Sequence, residues 1–151
     1  MIARVQMFIF LFAAFTAVAQ PYQKLHRQAT VIDTHNDVLI AVMQGHLLDA
    51  DLRGKTHSDL ARFKKGGVDV QVFSVWSSEQ YGKGTGFAYA NRQIDSLYAI
   101  AARNGDKMMM VTNPKELKRA VKQNKLGAMI GVEGGHMIED NLQYLDSLYR
   151  R

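Results

Sequence analysis

The stretch Leu126-Gly127-Ala128-Met129-Ile130-Gly131-Val132-Glu133-Gly134-Gly135-His136 decides how this chain is read. Its first seven residues are apolar or glycine and predict a strand over Leu126 to Val132. The strand closes on a carboxylate followed by two glycines. Glycine there permits a sharp exit turn or the close approach of a ligand. A cap or salt bridge formed by Glu133 at a strand end is the structural alternative.

A second strand end has the same character. In Val31-Ile32-Asp33-Thr34-His35-Asn36-Asp37, the imidazole and the last carboxylate are two residues apart. On an extended backbone both side chains project to one side. A nitrogen and an oxygen aimed at one point suit Zn²⁺ or a similar divalent ion. Asp33 and Asn36 are then candidates for the outer partners that orient such ligands. The plainer reading is a polar turn in which Asp33 or Asp37 caps backbone amides.

Between these ends, strand and helix alternate. Thr30 to Asp33 is the first β-rich run, followed by an irregular stretch through Gly45 and Gly54. Ser58 is placed to cap a helix through Lys65 that turns Leu60 and Phe63 inward and stops at Gly66-Gly67. Val68 to Trp76 reads as a strand covered on both faces. After a loop from Tyr81 to Gly86, Ile94, Leu97, Tyr98, Ala101 and Ala102 form a helical stripe that Asn104-Gly105 ends. Lys107 to Thr112 is the third strand. Asn113-Pro114 then opens a helix with Leu117, Ala120 and Val121 inward. After the fourth strand, a last helix from about Glu139 is expected to bury Leu142, Leu145, Leu148 and Tyr149. Four βα units imply a parallel sheet, either doubly wound or part of a (β/α)8 barrel. A full barrel takes about 250 residues. In a barrel the C-terminal strand ends share one mouth, so Glu133 would reach the ion held by His35 and Asp37. A carboxylate can also span two metals about 3.5–4 Å apart.

Composition narrows the chemistry. The 151 residues include 19 basic and 14 acidic ones, for a net charge of +5, and no cysteine. Thiol catalysis, Fe–S clusters and cysteine zinc sites are excluded. The basic residues are interspersed with acids, and Lys118, Arg119, Lys122 and Lys125 fit a solvated helix face, so no nucleic-acid partner is expected. The loop around Gly82–Gly86 lacks the ending of a phosphate loop, and no serine sits in a G-x-S-x-G elbow. Met108-Met109-Met110 reads as core strand, and Trp76 as a pocket wall or packing. His26, His46 and His57 read as solvated surface. At the N-terminus, Arg4, the apolar run Met7–Phe15 and Ala17-Val18-Ala19 form a secretory signal pattern over residues 1–19. The run is too short to span about 30 Å of hydrocarbon. A cleaved leader would leave residues 20–151 secreted or periplasmic with no membrane span, and an uncleaved one would associate them with a membrane.

Four stretches together resemble one family. Ile32 to Asp37, Asp59-Leu60 through Gly66-Gly67-Val68, Gln71 to Trp76 and Ile130 to His136 occur in the order found in the membrane dipeptidases (renal dipeptidase type, zinc peptidase family M19), which are (β/α)8 barrels. The resemblance implies the N-terminal half, four βα units, of a metal-dependent-hydrolase TIM barrel over residues 20–151. It also implies two bridged Zn²⁺ ions, with His35 and Asp37 on one ion and Glu133 bridging both as the catalytic carboxylate. The implied reaction is hydrolysis of dipeptides by a metal-bridging hydroxide. His136 lies in the motif without an assigned role. Two ions need about eight ligand positions, and this family takes further histidines and its substrate-binding groups from strands beyond the fourth. The chain is therefore expected to be a truncated portion, inactive alone. Another metal-dependent amidohydrolase of the same barrel, or a secreted non-catalytic module that folds with a copy of itself or a partner and binds a ligand, are the alternatives, and a homodimer is compatible with each reading.

Overall fold

All four expected runs form strands, β4 (Leu126–Val132) with the expected bounds and the other three shifted or shortened: β1 (Ile32–Asn36), β2 (Val70–Val75) and β3 (Met108–Met110). All pairs are parallel, in the order β1-β2-β4-β3. The computed structural model describes residues 21–82 and 84–151, so the expected leader over residues 1–19 lies outside the described residues. Residues 31–151 are one compact unit. Its helices are α2 (Val38–Met43), α3 (Leu60–Gly66), α4 (Gly86–Arg103), α5 (Pro114–Lys122) and α6 (Leu142–Tyr149). A separate unit holds α1 (Pro21–Gln28). Both α1 and α2 form where the sequence pattern predicts no element. No helix among the described residues is long and apolar enough to cross a membrane.

Units laid down one beside the next would order the strands 1-2-3-4, whereas here β4 lies between β2 and β3. The connection through α4 therefore steps over β4, and the one through α5 steps back. Right-handed crossovers in opposite directions put their helices on opposite faces of the sheet. The packing agrees. Residues in parallel register share a face, and Phe73, Val75 and Ala128 lie in one buried cluster with Leu39 of α2, Phe63 of α3 and Ile94 and Leu97 of α4. On the opposite face Gly127 lies against Val70 and Ala120 of α5, where an added Cβ would come within 3.3 and 3.5 Å of their side chains. Phe63 meets Phe73 edge-on at 6.0 Å. Each fully buried aliphatic or aromatic side chain contributes about 1.5–3 kcal/mol, so this cluster is the main stabilising element of the unit.

Most helix ends follow local chemistry. The Asn113 carboxamide accepts from the amides of Lys115 and Glu116 at the start of α5, and Gly67 ends α3 with φ +70°, a left-handed conformation natural to glycine. The start of α3 differs from expectation. Asp59, not Ser58, is its N-cap, because the Asp59 carboxylate reaches three donors at once: Arg62 N at 2.8 Å, Arg62 Nε at 2.8 Å and Leu52 N at 3.1 Å. Ser58 instead donates to Asn36 Oδ1. The last helix also differs. Only Leu148 of its expected inward residues is buried, while Leu142 and Tyr149 are 75% and 88% exposed. Leu145, Leu148 and Tyr149 border an open cavity of about 480 Å³ beside Met129, Ile130 and Val132. This lies where β3, which pairs only with Leu126 to Ala128, no longer flanks β4.

Burial alone would raise the carboxyl pKa of Asp59, but the amides of Arg62 and Leu52 and the Arg62 side chain outweigh it and hold the value below the ordinary 3.8. A pKa depressed by folding adds stability that is complete above the unfolded value and is lost as pH falls through the lower folded value. D59A is expected to cost about 1–3 kcal/mol at neutral pH. The gap in melting temperature between wild type and D59A should narrow below about pH 3.8. A gap that widens in acid would contradict this role.

Candidate metal centre

Strand parity sets which side chains can meet. Ile32 lies opposite Val70 and Asp33 opposite Gln71, but Asn36 lies opposite Phe73, so β1 carries one residue more than β2 over this span. Side chains alternate between faces. An unbroken β1 would keep His35 on the face of Asp33, Gln71 and Phe73, against the helices. The bulge reverses that parity. Asn36 takes the Phe73 side, and His35 and Asp37 fall on the side of Val72 and Ser74. Across the sheet Ser74 lies opposite Gly131, and Glu133 follows two residues later on the same side. The fully buried Gln71 supports the bulge, since its Nε2 donates to the Asp33 carbonyl at 3.2 Å and the Val72 carbonyl at 3.0 Å.

His35, Asp37 and Glu133 consequently converge, each offering a donor atom within 4.8 Å of the others. His35 Nε2 is 3.3 Å from Asp37 Oδ1 and 3.4 Å from Glu133 Oε2. All three side chains are about half exposed. Asp37 occupies the N-cap position of α2, yet its side chain caps nothing. The amide of Val38 is satisfied instead by Asn36 Oδ1 at 3.0 Å. Capping by Asn36 thus leaves the Asp37 carboxylate turned toward His35. Asp33 Oδ1 accepts from the His35 amide at 3.1 Å, so it supports the backbone of a cluster residue. Asn36 faces Ser58 and α2, away from the cluster.

The glycines after Glu133 shape the exit. Gly134 has φ +93°, and a Cβ there would lie 2.7 Å from the His136 ring. With that space free, His136 folds back and its Nε2 lies 3.0 Å from Ser77 Oγ and 2.9 Å from Ser77 O. It ties the loop after β4 to the loop after β2 and stands outside the three-residue cluster. Glu139 makes a second tie, accepting from the amides of Phe87 and Gly84, which hold its carboxyl below the usual range. Trp76 lines a cavity of about 620 Å³ with Tyr81, Tyr89 and Arg92, the pocket-wall role.

One imidazole nitrogen and two carboxylates are a donor set that zinc and similar divalent ions accept. Among the described residues no lysine or arginine pairs with Asp37 or Glu133, so the two carboxylates face each other without a lysine or arginine to balance them. Two like charges about 4 Å apart in water repel by roughly 1 kcal/mol. That repulsion is small against the core, so the cluster stands on the sheet alone, and a divalent ion would reverse its sign.

Comparison with known proteins shows the family. A family model described as membrane dipeptidase (peptidase family M19) matches residues 19–151. Human dipeptidase 3 is 33% identical over 132 residues, covering 84% of this chain and 26% of that protein. The chain thus spans about a quarter of the length of the curated relatives it matches. Two solved structures share the fold. The probable dipeptidase PvdM from Pseudomonas aeruginosa superimposes with TM-score 0.69 at 19% identity, over 88% of this chain and 35% of that one. A metallopeptidase from Rhodobacter sphaeroides liganded with a phosphinate mimic of L-Ala-D-Ala gives 0.65 at 17%, over 79% and 43%.

If the cluster takes zinc, the ion stabilises the folded chain by mass action. At a hundred times its Kd, zinc is expected to add about 2.7 kcal/mol to wild-type stability, with most of that lost in H35A and D37A. Thermal denaturation with and without zinc checks it. An undiminished shift in both variants would put the binding elsewhere.

Proposed function

The chain belongs to the membrane dipeptidase family, peptidase family M19, and on that premise we propose that it carries the N-terminal part of a two-zinc dipeptidase site. In this reading His35 and Asp37 hold one ion and Glu133 spans both. The convergence of three donor atoms within 4.8 Å at the ends of β1 and β4 is the observation that supports it. The chemistry that bound zinc supplies is a lowered pKa for an attacking water and polarisation of the scissile carbonyl.

The chain's own groups have defined tasks. His35 turns Nε2 to both carboxylates, so as a ligand it must be neutral with its proton on Nδ1. Asp37 is free to bind because Asn36 does the capping. Glu133 has two carboxylate oxygens and would offer one to each of two ions, the role that the family resemblance implies. Three side chains do not fill the coordination of two ions, so the complete site takes further ligands and the groups that hold a dipeptide from outside these residues. Residues 1–19 act as a secretory signal in this account, placing the mature protein outside the cytoplasm.

Loss of an outer partner of a metal ligand already costs about 10–100-fold in affinity or activity. E133Q keeps the size of the side chain and removes its charge. In the zinc-loaded protein isolated from its source, it is expected to lower dipeptide hydrolysis by more than about a hundredfold. Near-normal turnover in E133Q would sink the assignment.

A further inference from the structure

Strand β2 contributes no residue to the cluster, yet its apolar run is interrupted by a serine at the level of the site. Ser74 is 2% exposed. A buried hydroxyl needs a partner, and in a strand core it commonly finds a main-chain carbonyl. Here its oxygen donates to Glu133 Oε2 at 2.8 Å. The same Oε2 lies 3.4 Å from His35 Nε2.

The register makes this contact possible. Ser74 lies opposite Gly131, which has no side chain to occupy the space, so the next side chain on that face is Glu133. The Glu133 amide in turn donates to the Val75 carbonyl at 3.0 Å, which fixes the height of Glu133 above Ser74. The carboxylate is half exposed, and no lysine or arginine among the described residues pairs with it. Among the described residues, the Ser74 hydroxyl is its buried hydrogen-bond donor.

We propose that Ser74 is a positioning residue for the metal centre, holding the Glu133 carboxylate by Oε2 so that its two oxygens are presented in a fixed orientation to the ions. This rests on the metal-site reading above. A carboxylate that must serve two ions loses its geometry if it can swing about its last bonds. A hydroxyl fixed in a strand core removes that freedom without competing as a ligand.

The test is binding of cobalt(II) to the full chain, followed by its visible d–d absorption, with far-UV circular dichroism as the check of folding. S74A is expected to raise the cobalt Kd about tenfold or more and to change the spectrum of the bound ion. S74T and S74V form a second pair of equal shape, of which only threonine keeps the hydroxyl. S74T should bind more tightly than S74V, and this comparison stands even if S74A fails to fold. In an E133Q background the S74A change should have little further effect, because the hydroxyl acts through Glu133. Wild-type affinity in S74A, equal affinities in S74T and S74V, or the same loss with and without E133Q would overturn the proposal while leaving the metal site standing. Failure of the wild-type chain to bind cobalt at all would overturn the metal-site reading and this proposal with it.

Discussion

One extra residue in β1 is the constraint on which the rest of the site depends. Without the bulge between Asp33 and Asn36, His35 would point into the cluster of Phe73, Leu39 and Phe63. A polar ring buried there without a partner costs roughly 1–3 kcal/mol, and Glu133 would stand alone. With the bulge, His35 and Asp37 share a face with Ser74 and Glu133, and Asn36 turns inward to satisfy Val38 and Ser58. The two hydrogen bonds from Gln71 to Asp33 and Val72 contribute about 0.5–1.5 kcal/mol each. That is comparable to the repulsion between the exposed carboxylates, so the cluster is kept by backbone pairing and packing.

The sheet order adds a second consequence. Because α5 steps back across β4, it covers the lower part of the face that carries the cluster, through Ala120 against Gly127. The upper part of that face, beyond Val72 and Gly131, carries the polar Ser74 and Glu133. The same strand therefore has a packed lower half and a chemical upper half. The loops above it are tied by side chains rather than by strand pairing, His136 to Ser77 on one side and Glu139 to Phe87 and Gly84 on the other.

Much of this was legible from residue types. The span of β4 is local, since seven apolar or glycine residues end at a carboxylate, and the expected and observed bounds coincide. Asn113-Pro114 and Gly67 likewise act within a turn of their own position. The bulge was not legible, because it exists only in the pairing of β1 with β2; spacing put His35 and Asp37 on one side, without saying which face of the sheet that is. Ser74 and Gln71 left one faint signal, polar residues inside an apolar strand. Asp59 displaced Ser58 as a cap because the amide of Leu52 arrives from outside the helix. The exposure of Leu142 and Tyr149 depends on what lies beside β4, which the periodicity of their own helix does not report.

The central claim is that β1 and β4 bring His35, Asp37 and Glu133 to one metal. The most direct measurement is an anomalous-difference map, recorded at the zinc edge, from crystals of the chain grown with zinc. The account expects a peak about 2.0–2.2 Å from a nitrogen of His35 and from carboxylate oxygens of Asp37 and Glu133. A map with no peak there, or with its peak on His136 or another histidine, would contradict it.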